Sequence, residues 1–592
     1  MHLIPEPKKI IFEDGVLSAG KFTADFGPFF SKQVAHAFKT LCNDVKNKCE
    51  KAVVLTVRNS EKLTNDEEYI LSINEKGIHI EACHSKGVFY ALQTLRQIVA
   101  TEGCFPCCEI YDKPDFAFRG LQNDTTRGRV PTLEGLKKIA DICAYYKINV
   151  IALYFEHSFA FREFDGIVSS EEMLFPEELK EFVAYCEQLY IEVIPYVAMF
   201  GHQYRLLQSD KYKHLCELED YTPTLHYWQE RMLHHSIDIS NPESWVLIKS
   251  FIDQLTDVFP CRIYIPGIDE TFDLCKGKNK GKNMIEQYCA FTDKICDYLN
   301  EKGKTALIAD DIIQNHDDGF LLKSKNIIMY HWDYVPAPDE EKYKVLREKS
   351  LPFIAVPSTN SFNSIVETVD RSSKNIYNTV ELSKKYGAEG ILNTIWGDRG
   401  HWCDFNCTLY GVVMCAAKSW NTKTVFDEKF ETDFSCLAFD EEDINIPKLF
   451  SKLEKLTLNA HLYWLVRWYS ENIMKKENTQ FTMIEPEISA MDNAIEAFKL
   501  YDYSRELADA HPDKEEQYKS LVVTFGICGA LNILSNAIIC ERKLNAEQVC
   551  LIEEKLREYH DVWLRDNKES EFYEIRNFVK DIIEYLDNRY AD

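Results

Sequence analysis

Between about residues 118 and 396 the chain repeats one pattern, an apolar run of strand length that ends in polar or small residues and leads into an amphipathic stretch. Eight such runs occur. They are RGLQND from Arg119, NVIALYFE from Asn149, EVIPYVAMF from Glu192 and RIYIPGIDE from Arg262. TALIADD from Thr305, NIIMYHWDY from Asn326, PFIAVPST from Pro352 and GILNTIW from Gly390 complete the set. Strands that are apolar on both faces and alternate with helices belong in a parallel sheet covered on both sides. Eight units in about 280 residues fit a closed (β/α)8 barrel in number and length; a doubly wound open sheet is the competing arrangement.

At 592 residues the chain exceeds what one core supports, so further domains are expected. Residues 1–112 read as a small α/β domain. YILSINEKGIHIEA (Tyr69 to Ala82) alternates apolar and polar residues across a turn, a hairpin pattern, and Val88, Leu92, Leu95 and Ile98 then share one helical face. Residues 113–425 hold the barrel, in which Thr132 is the expected N-cap of the helix after the first strand. Residues 426–592 lack strand-like runs and read as a helical domain, free either to brace the barrel or to form a dimer contact. Trp464 and Trp468, four apart, are expected to pack in that domain's core.

The net charge of −27 disfavours nucleic acid as a partner. No run of 18 or more purely apolar residues occurs, so no membrane span is expected. MHLIPEPKKIIFEDG carries prolines and acids where a signal peptide needs an apolar segment, and 20 cysteines then read as reduced thiols in the cytoplasm. CFPCC (Cys104 to Cys108) has no partner pair at zinc-site spacing. KGKNKGKN (Lys276 to Asn283) lacks the P-loop order and reads as a solvated loop, placed to serve as a lid or an anion contact.

In a barrel of this kind the C-terminal strand ends carry the chemistry. Taken in order, those ends offer Asp124 with Arg127, Glu156 with His157, His202, Asp269 with Glu270, Asp310 with Asp311, and Trp332 with Asp333. Asn360 and Asn363 follow the seventh strand, and Trp396, Asp398, His401 and Trp402 follow the eighth. A single strand-end acid is usually solvated or a cap. So many acids, planar donors and indoles at one mouth suit a sugar, whose hydroxyls need bidentate partners and whose apolar face needs an aromatic plate. Neighbouring strand residues point to opposite sides, so Asp269 and Glu270 are free to take different tasks.

Several ordered motifs resemble glycoside hydrolase family 20, the β-N-acetylhexosaminidases, over about residues 65 to 405. EEYILSINEKGIHIEACHSKGVFYALQTLRQIV resembles that family's small N-terminal domain, and DKPDFAFRGLQNDTTRG the D-x-P-x-F-x-x-R-G opening of its barrel. IEVIPYVAMFGH is similar to the third strand with its P-G-H, and IPGIDE to the G-x-D-E signature. GAEGILNTIWGDRGHW resembles a W-G-D-x-G-H ending found in a bacterial branch. The resemblance implies a substrate-assisted, retaining mechanism that needs no metal or organic cofactor, in which the substrate's 2-acetamido oxygen is the nucleophile.

Carried over by motif, Glu270 would be the general acid and base, and Asp269 would hold the acetamido group. Arg119 would grip sugar hydroxyls, His202 would partner the acids, Trp332 and Trp396 would wall the sugar and acetamide, and Asp398 would bind outer hydroxyls. The chain departs from the family in three places. Its seventh strand has PSTNSFNS instead of the Y-L-D whose tyrosine donates to the acetamido oxygen, leaving Tyr330, Tyr334, Asn360 and Asn363 as substitutes. Phe200 replaces the proline of P-G-H, and Glu156 stands where many relatives have histidine. The expected substrate is a glycoside with a terminal β-linked N-acetylhexosamine. The alternatives are a glycosidase using two protein carboxylates, with Glu156 as nucleophile, and a catalytically silent sugar-binding protein.

Overall fold

The computed structural model describes residues 1–18, 20–45, 52–219, 221–316, 320–458, 461–476 and 490–590. Its centre is a closed barrel of eight parallel strands in sequence order. These are β7 (Phe118–Asp124), β8 (Val150–Phe155), β9 (Glu192–Ala198), β10 (Ile263–Gly267), β11 (Thr305–Ala309), β12 (Ile327–Trp332), β13 (Phe353–Val356) and β14 (Gly390–Ile395). Strand β14 pairs in parallel with β7, which closes the ring. The expected barrel is thus present, and each of the eight apolar runs supplies one strand. Strands β8, β10, β11, β13 and β14 are buried along their whole length, since one side faces the barrel interior and the other the helices. Thr132 caps the first barrel helix, its hydroxyl accepting from the Gly135 N–H at 3.0 Å.

Before the barrel lies a six-stranded mixed sheet, ordered β1-β6-β4-β5-β3-β2. Its strands are β1 (Lys9–Leu17), β2 (Lys21–Asp25), β3 (Ala52–Asn59), β4 (Tyr69–Asn74), β5 (Gly77–Ala82) and β6 (Phe105–Asp112). The expected hairpin is β4–β5, with Asn74 opposite Gly77. Helix Ser85–Glu102 buries Val88, Leu92, Leu95 and Ile98 against this sheet.

Arg119 belongs to the junction with this sheet. It is the second residue of β7, at the N-terminal end of the barrel, and 1 % exposed. Its guanidinium pairs with Glu67 at 2.8 Å and donates to the carbonyls of Lys147 and Phe116. Beside it Lys147 pairs with Asp112 at 2.9 Å, and the Trp420 indole donates to the same carboxylate at 2.8 Å. The expected sugar-gripping role of Arg119 is therefore corrected: the strand's direction carries it away from the mouth, and buried charges of the N-terminal domain hold it there.

Helices make up the remainder of the described chain, from Leu409–Trp420 to Phe572–Arg589. Helix Glu515–Ile539 is apolar enough, with a mean hydropathy of 1.9 over its most apolar stretch, to pass for a membrane span by composition. It lies instead inside the helical layer, 94 % buried over that stretch. Interspersed Ser, Asn and Gly residues broke the purely apolar count in the sequence, and they pack here; the Asn532 amide donates to the Leu456 carbonyl. Trp464 and Trp468 are both partly buried against the helical core. Cys107 and Cys108 are free thiols on β6.

The last helices also reach the barrel mouth. Ser570 donates to the Gly128 carbonyl at 2.7 Å, and Glu571 accepts from Tyr227 at 2.6 Å and Arg231 at 2.9 Å.

Candidate active site

Strand β10 ends at Gly267, two residues before Asp269 and Glu270. Both acids therefore lie beyond the pleat that would have pointed them apart. Glu270 has φ of +49° and His202 φ of +55°, left-handed backbone that non-glycine residues adopt at some cost. The turn at Glu270 brings the acids together: His202 Nε2 stands 3.5 Å from a carboxylate oxygen of each. The Glu270 N–H donates to Asp311 at 3.3 Å, which helps hold that turn.

The two acids differ in surroundings. Asp269 is 8 % exposed and accepts from the Tyr196 hydroxyl at 2.8 Å. Burial would raise its pKa, but His202 and Tyr196 outweigh that and hold it below the usual value, so it is a carboxylate. The Glu270 side chain is 27 % exposed and faces the mouth. Burial alone would depress the His202 pKa, yet the two carboxylates push it up to about 9. His235 stacks on His202 with ring centroids 4.4 Å apart and accepts from the His202 backbone N–H at 2.7 Å. Asp311 relieves the crowding of negative charge by staying protonated: burial and the Asp269 charge push its carboxyl up to about 8.

Across the mouth, Arg127 is the organising cation. It donates to Glu156 at 2.8 Å, Asp398 at 3.0 Å and the Tyr154 hydroxyl at 3.1 Å. Its guanidinium lies 5.1 Å from the Trp396 ring centroid and 4.9 Å from that of Tyr154. Asp398 is partly exposed and has a second neighbour in the Asn363 amide at 3.4 Å. Glu156 is sealed between two arginines, with one oxygen on Arg127 and the other on Arg231 at 2.7 Å. Despite burial these cations hold it far below the usual carboxylate range. With both oxygens engaged, Glu156 is a brace for the arginines, and the expectations that it binds a hydroxyl or acts as nucleophile do not fit.

The aromatic wall comes from β12, its extension and the end of β14. Trp332 lies against Tyr334 with ring centroids 5.0 Å apart, and the Trp396 indole N–H donates to the Tyr334 hydroxyl at 2.8 Å. Tyr330 is buried and donates to Gln122 at 2.8 Å. Asn360 accepts from Arg371 at 2.9 Å within its loop, and Asn363 donates to Tyr463 of the helical region at 3.0 Å. Of the four substitutes for the missing strand-seven tyrosine, Tyr334 alone combines partial exposure with a hydroxyl on the Trp396 indole.

The mouth thus gathers Asp269, Glu270, His202, Trp332, Trp396 and Asp398, together with Glu156 beneath them; Arg119 is the one expected residue at the other end. Asp310 pairs with His331 at 2.9 Å, and Asp333 caps its own loop through the Val335 N–H. Asn279 anchors the lysine-rich loop by donating to Glu217 and Asp238, as a braced turn. Tyr154, Tyr196 and His235 were missed in the sequence. The two tyrosines sit inside apolar strands, indistinguishable there from core, and His235 lies in a long loop with no periodicity. Chemically, the site offers one ionised buried acid, one accessible acid and an imidazolium between them. A cation–carboxylate pair and an indole wall face these groups.

Comparison with known proteins agrees with this geometry. Residues 1–113 match the model for glycosyl hydrolase family 20, domain 2, and residues 116–394 that for the glycosyl hydrolase family 20 catalytic domain. A β-hexosaminidase of Akkermansia muciniphila is 30 % identical over 270 residues, covering 40 % of this chain and 54 % of the relative. The chain thus spans about half the length of that curated relative. The structure of Flavobacterium johnsoniae chitobiase aligns with a TM-score of 0.63 at 16 % identity, over 98 % of this chain and 99 % of that one. A Streptomyces plicatus β-hexosaminidase in complex with product GlcNAc aligns at 0.58 with 17 % identity, over 74 % and 94 %. At such identities the structural likeness speaks for the fold, whereas the two family matches speak for descent, and by them the chain belongs to glycoside hydrolase family 20.

Proposed function

We propose that the chain is an exo-acting, retaining β-N-acetylhexosaminidase that releases terminal β-linked GlcNAc or GalNAc through an oxazolinium intermediate. The observation that carries this reading is the inequality of the carboxylates at the mouth. Asp269 is buried and ionised, Glu270 is accessible, and Glu156 is locked by two arginines. The other carboxylate at the mouth, Asp398, is engaged by Arg127 and the Asn363 amide, so among the described residues the mouth leaves the role of nucleophile to the substrate's own acetamide.

In this mechanism Asp269 accepts from the acetamido N–H, orients its oxygen toward the anomeric carbon and stabilises the positive charge that develops on the ring being formed. Tyr334 donates to the acetamido oxygen while its own oxygen accepts from Trp396. Trp396 and Trp332 exclude water and wall the sugar. Glu270 protonates the leaving oxygen; after departure it takes a proton from water, which opens the oxazolinium from the face the leaving group vacated. Two displacements at one carbon retain its configuration. Arg127 and Asp398 bind the hydroxyls of the terminal sugar, and Glu156 keeps Arg127 in place.

The test compares 4-nitrophenyl N-acetyl-β-glucosaminide with 4-nitrophenyl β-glucoside, which differ in the participating acetamide. Turnover of the first and negligible turnover of the second is expected. Equal rates on the two would overturn the assignment, and so would indifference to an oxazoline-mimicking thiazoline.

A further inference from the structure

A second cluster of donors lies behind the Glu156–Arg231 pair. His157 directly follows Glu156 at the end of β8, Glu172 closes a short turn (Ser170–Glu172), and Glu571 precedes the last helix. His157 Nε2 is 3.6 Å from a Glu172 oxygen and 3.5 Å from a Glu571 oxygen, and the three atoms lie within 4.8 Å of one another. The side chains are 0 %, 6 % and 0 % exposed.

We propose that His157, Glu172 and Glu571 form a binding site for one divalent first-row cation, zinc being the best match, that ties the last helix to the barrel. Three observations carry it. First, His157 Nε2 is buried and has no hydrogen-bond partner among the described residues. At 3.5–3.6 Å both carboxylates stand outside hydrogen-bond range.

Second, the two separations from His157, 3.6 and 3.5 Å, are those of neighbouring ligands around an ion. Bonds of about 2.0–2.2 Å to nitrogen and oxygen in a tetrahedron place neighbouring ligand atoms about 3.3–3.6 Å apart. The His157 Nδ1 atom lies 3.4 Å from the Thr126 hydroxyl, the kind of outer partner that orients a ligating imidazole.

Third, the charges leave a deficit that a dication offsets. Arg205 and Arg231 face Glu172, Glu571 and Glu574 together, and Arg231 is shared with Glu156. The chain Glu571–Arg231–Glu156–Arg127 runs from this site to the pocket wall, so the ion would steady that wall from behind. No step of glycoside cleavage passes through it.

The test uses the full chain, stripped with EDTA, loaded with zinc chloride and dialysed, beside His157→Gln, whose amide still donates to carboxylates but ligates zinc poorly. Wild type is expected to retain one more zinc per chain than the variant by elemental analysis. Zinc is expected to raise its Tm by roughly 2–4 °C, and to leave the variant unmoved. Zinc held by surface thiols cancels in the comparison. If His157→Gln is unfolded by circular dichroism in EDTA, Glu172→Gln replaces it with the same expectation. Equal zinc content and equal thermal response in wild type and variant would overturn the proposal and make His157 a donor wedged between two acids.

Discussion

Arg119 and Arg127 are eight residues apart, and they serve opposite ends of the barrel. Arg119, near the start of β7, pairs with Glu67 in the turn before β4, whereas Arg127, three residues past the end of that strand, pairs with Glu156 and Asp398 at the mouth. Their substitutions are expected to separate stability from catalysis. Removing Arg119 as Arg119→Met leaves Glu67 buried without its cation, though still accepting from the Asn149 amide, at a cost of about 3–5 kcal/mol, with kcat/KM of the folded fraction nearly unchanged. Arg127→Lys keeps the charge and loses the planar fork, and kcat/KM is expected to fall roughly 10–100-fold. Denaturant unfolding and steady-state kinetics on both variants check the pair; a large kcat/KM loss in a folded Arg119→Met would refute the division.

The acid pair gives the sharpest kinetic expectation. Glu270→Gln is expected to abolish hydrolysis of natural glycosides while sparing binding, and to cost least on substrates with an activated aryl leaving group. Asp269→Asn is expected to lower kcat by about 10²–10³ on both kinds of substrate, since its charge acts in the transition state whatever leaves. If the two variants respond alike to leaving-group ability, their roles are not distinct.

Tyr334→Phe removes a hydroxyl and little volume. It is expected to lower kcat about 10–100-fold and to weaken thiazoline binding, because the acetamido oxygen loses its donor. Asn360→Ala, whose side chain already serves Arg371, is expected to change neither by more than a few fold. A thiazoline inhibition constant untouched in Tyr334→Phe would point elsewhere for the donor.

His202 links the site to pH. Its folded pKa of about 9 lies above the ordinary imidazole value, because Asp269 and Glu270 offset its burial. The stability it contributes is therefore fully present below about pH 6.5 and lost as pH rises toward 9. Melting curves of wild type between pH 6 and 10 are expected to fall more steeply than those of His202→Gln, and kcat/KM to decline above about pH 9 in wild type. Parallel melting curves would remove the imidazolium from the account.

Asp311 has the opposite chemistry and the same sign. Its carboxyl, raised to about 8 by burial and by Asp269, holds a proton that the unfolded chain has already released. Stability is therefore complete below about pH 4 and declines as pH rises through 8. Asp311→Asn retains an acceptor for the Glu270 N–H and is expected to flatten the decline in Tm between pH 5 and 8.

Much of the fold was legible in the sequence because barrel strands buried on both faces must be apolar throughout, and helices between them must be amphipathic. The G-x-D-E stretch and the tryptophans ending β12 and β14 were equally legible, since a strand's C-terminal end is a predictable place. The Arg119 error shows the limit of that reading. Arg119 opens its apolar run and Arg127 follows it, so chain direction in a parallel barrel puts Arg127, not Arg119, at the mouth; the motif carried over by resemblance pointed to the wrong one of the two. Glu156 shows another limit: a strand-end acid looks available until Arg231, from a short helix (Tyr227–Leu233) 75 residues later, closes on its second oxygen.

The sequence by itself made eight alternating strand and helix units legible and placed Asp269 and Glu270 at a strand's C-terminal end, because these depend on local periodicity and on chain direction. Tertiary structure decided which carboxylates are free, which are neutral and which hydroxyl faces the indole of Trp396. Those properties arise from charges and donors that are brought within hydrogen-bond distance across the barrel mouth, between residues as distant in the chain as Arg127 and Asp398.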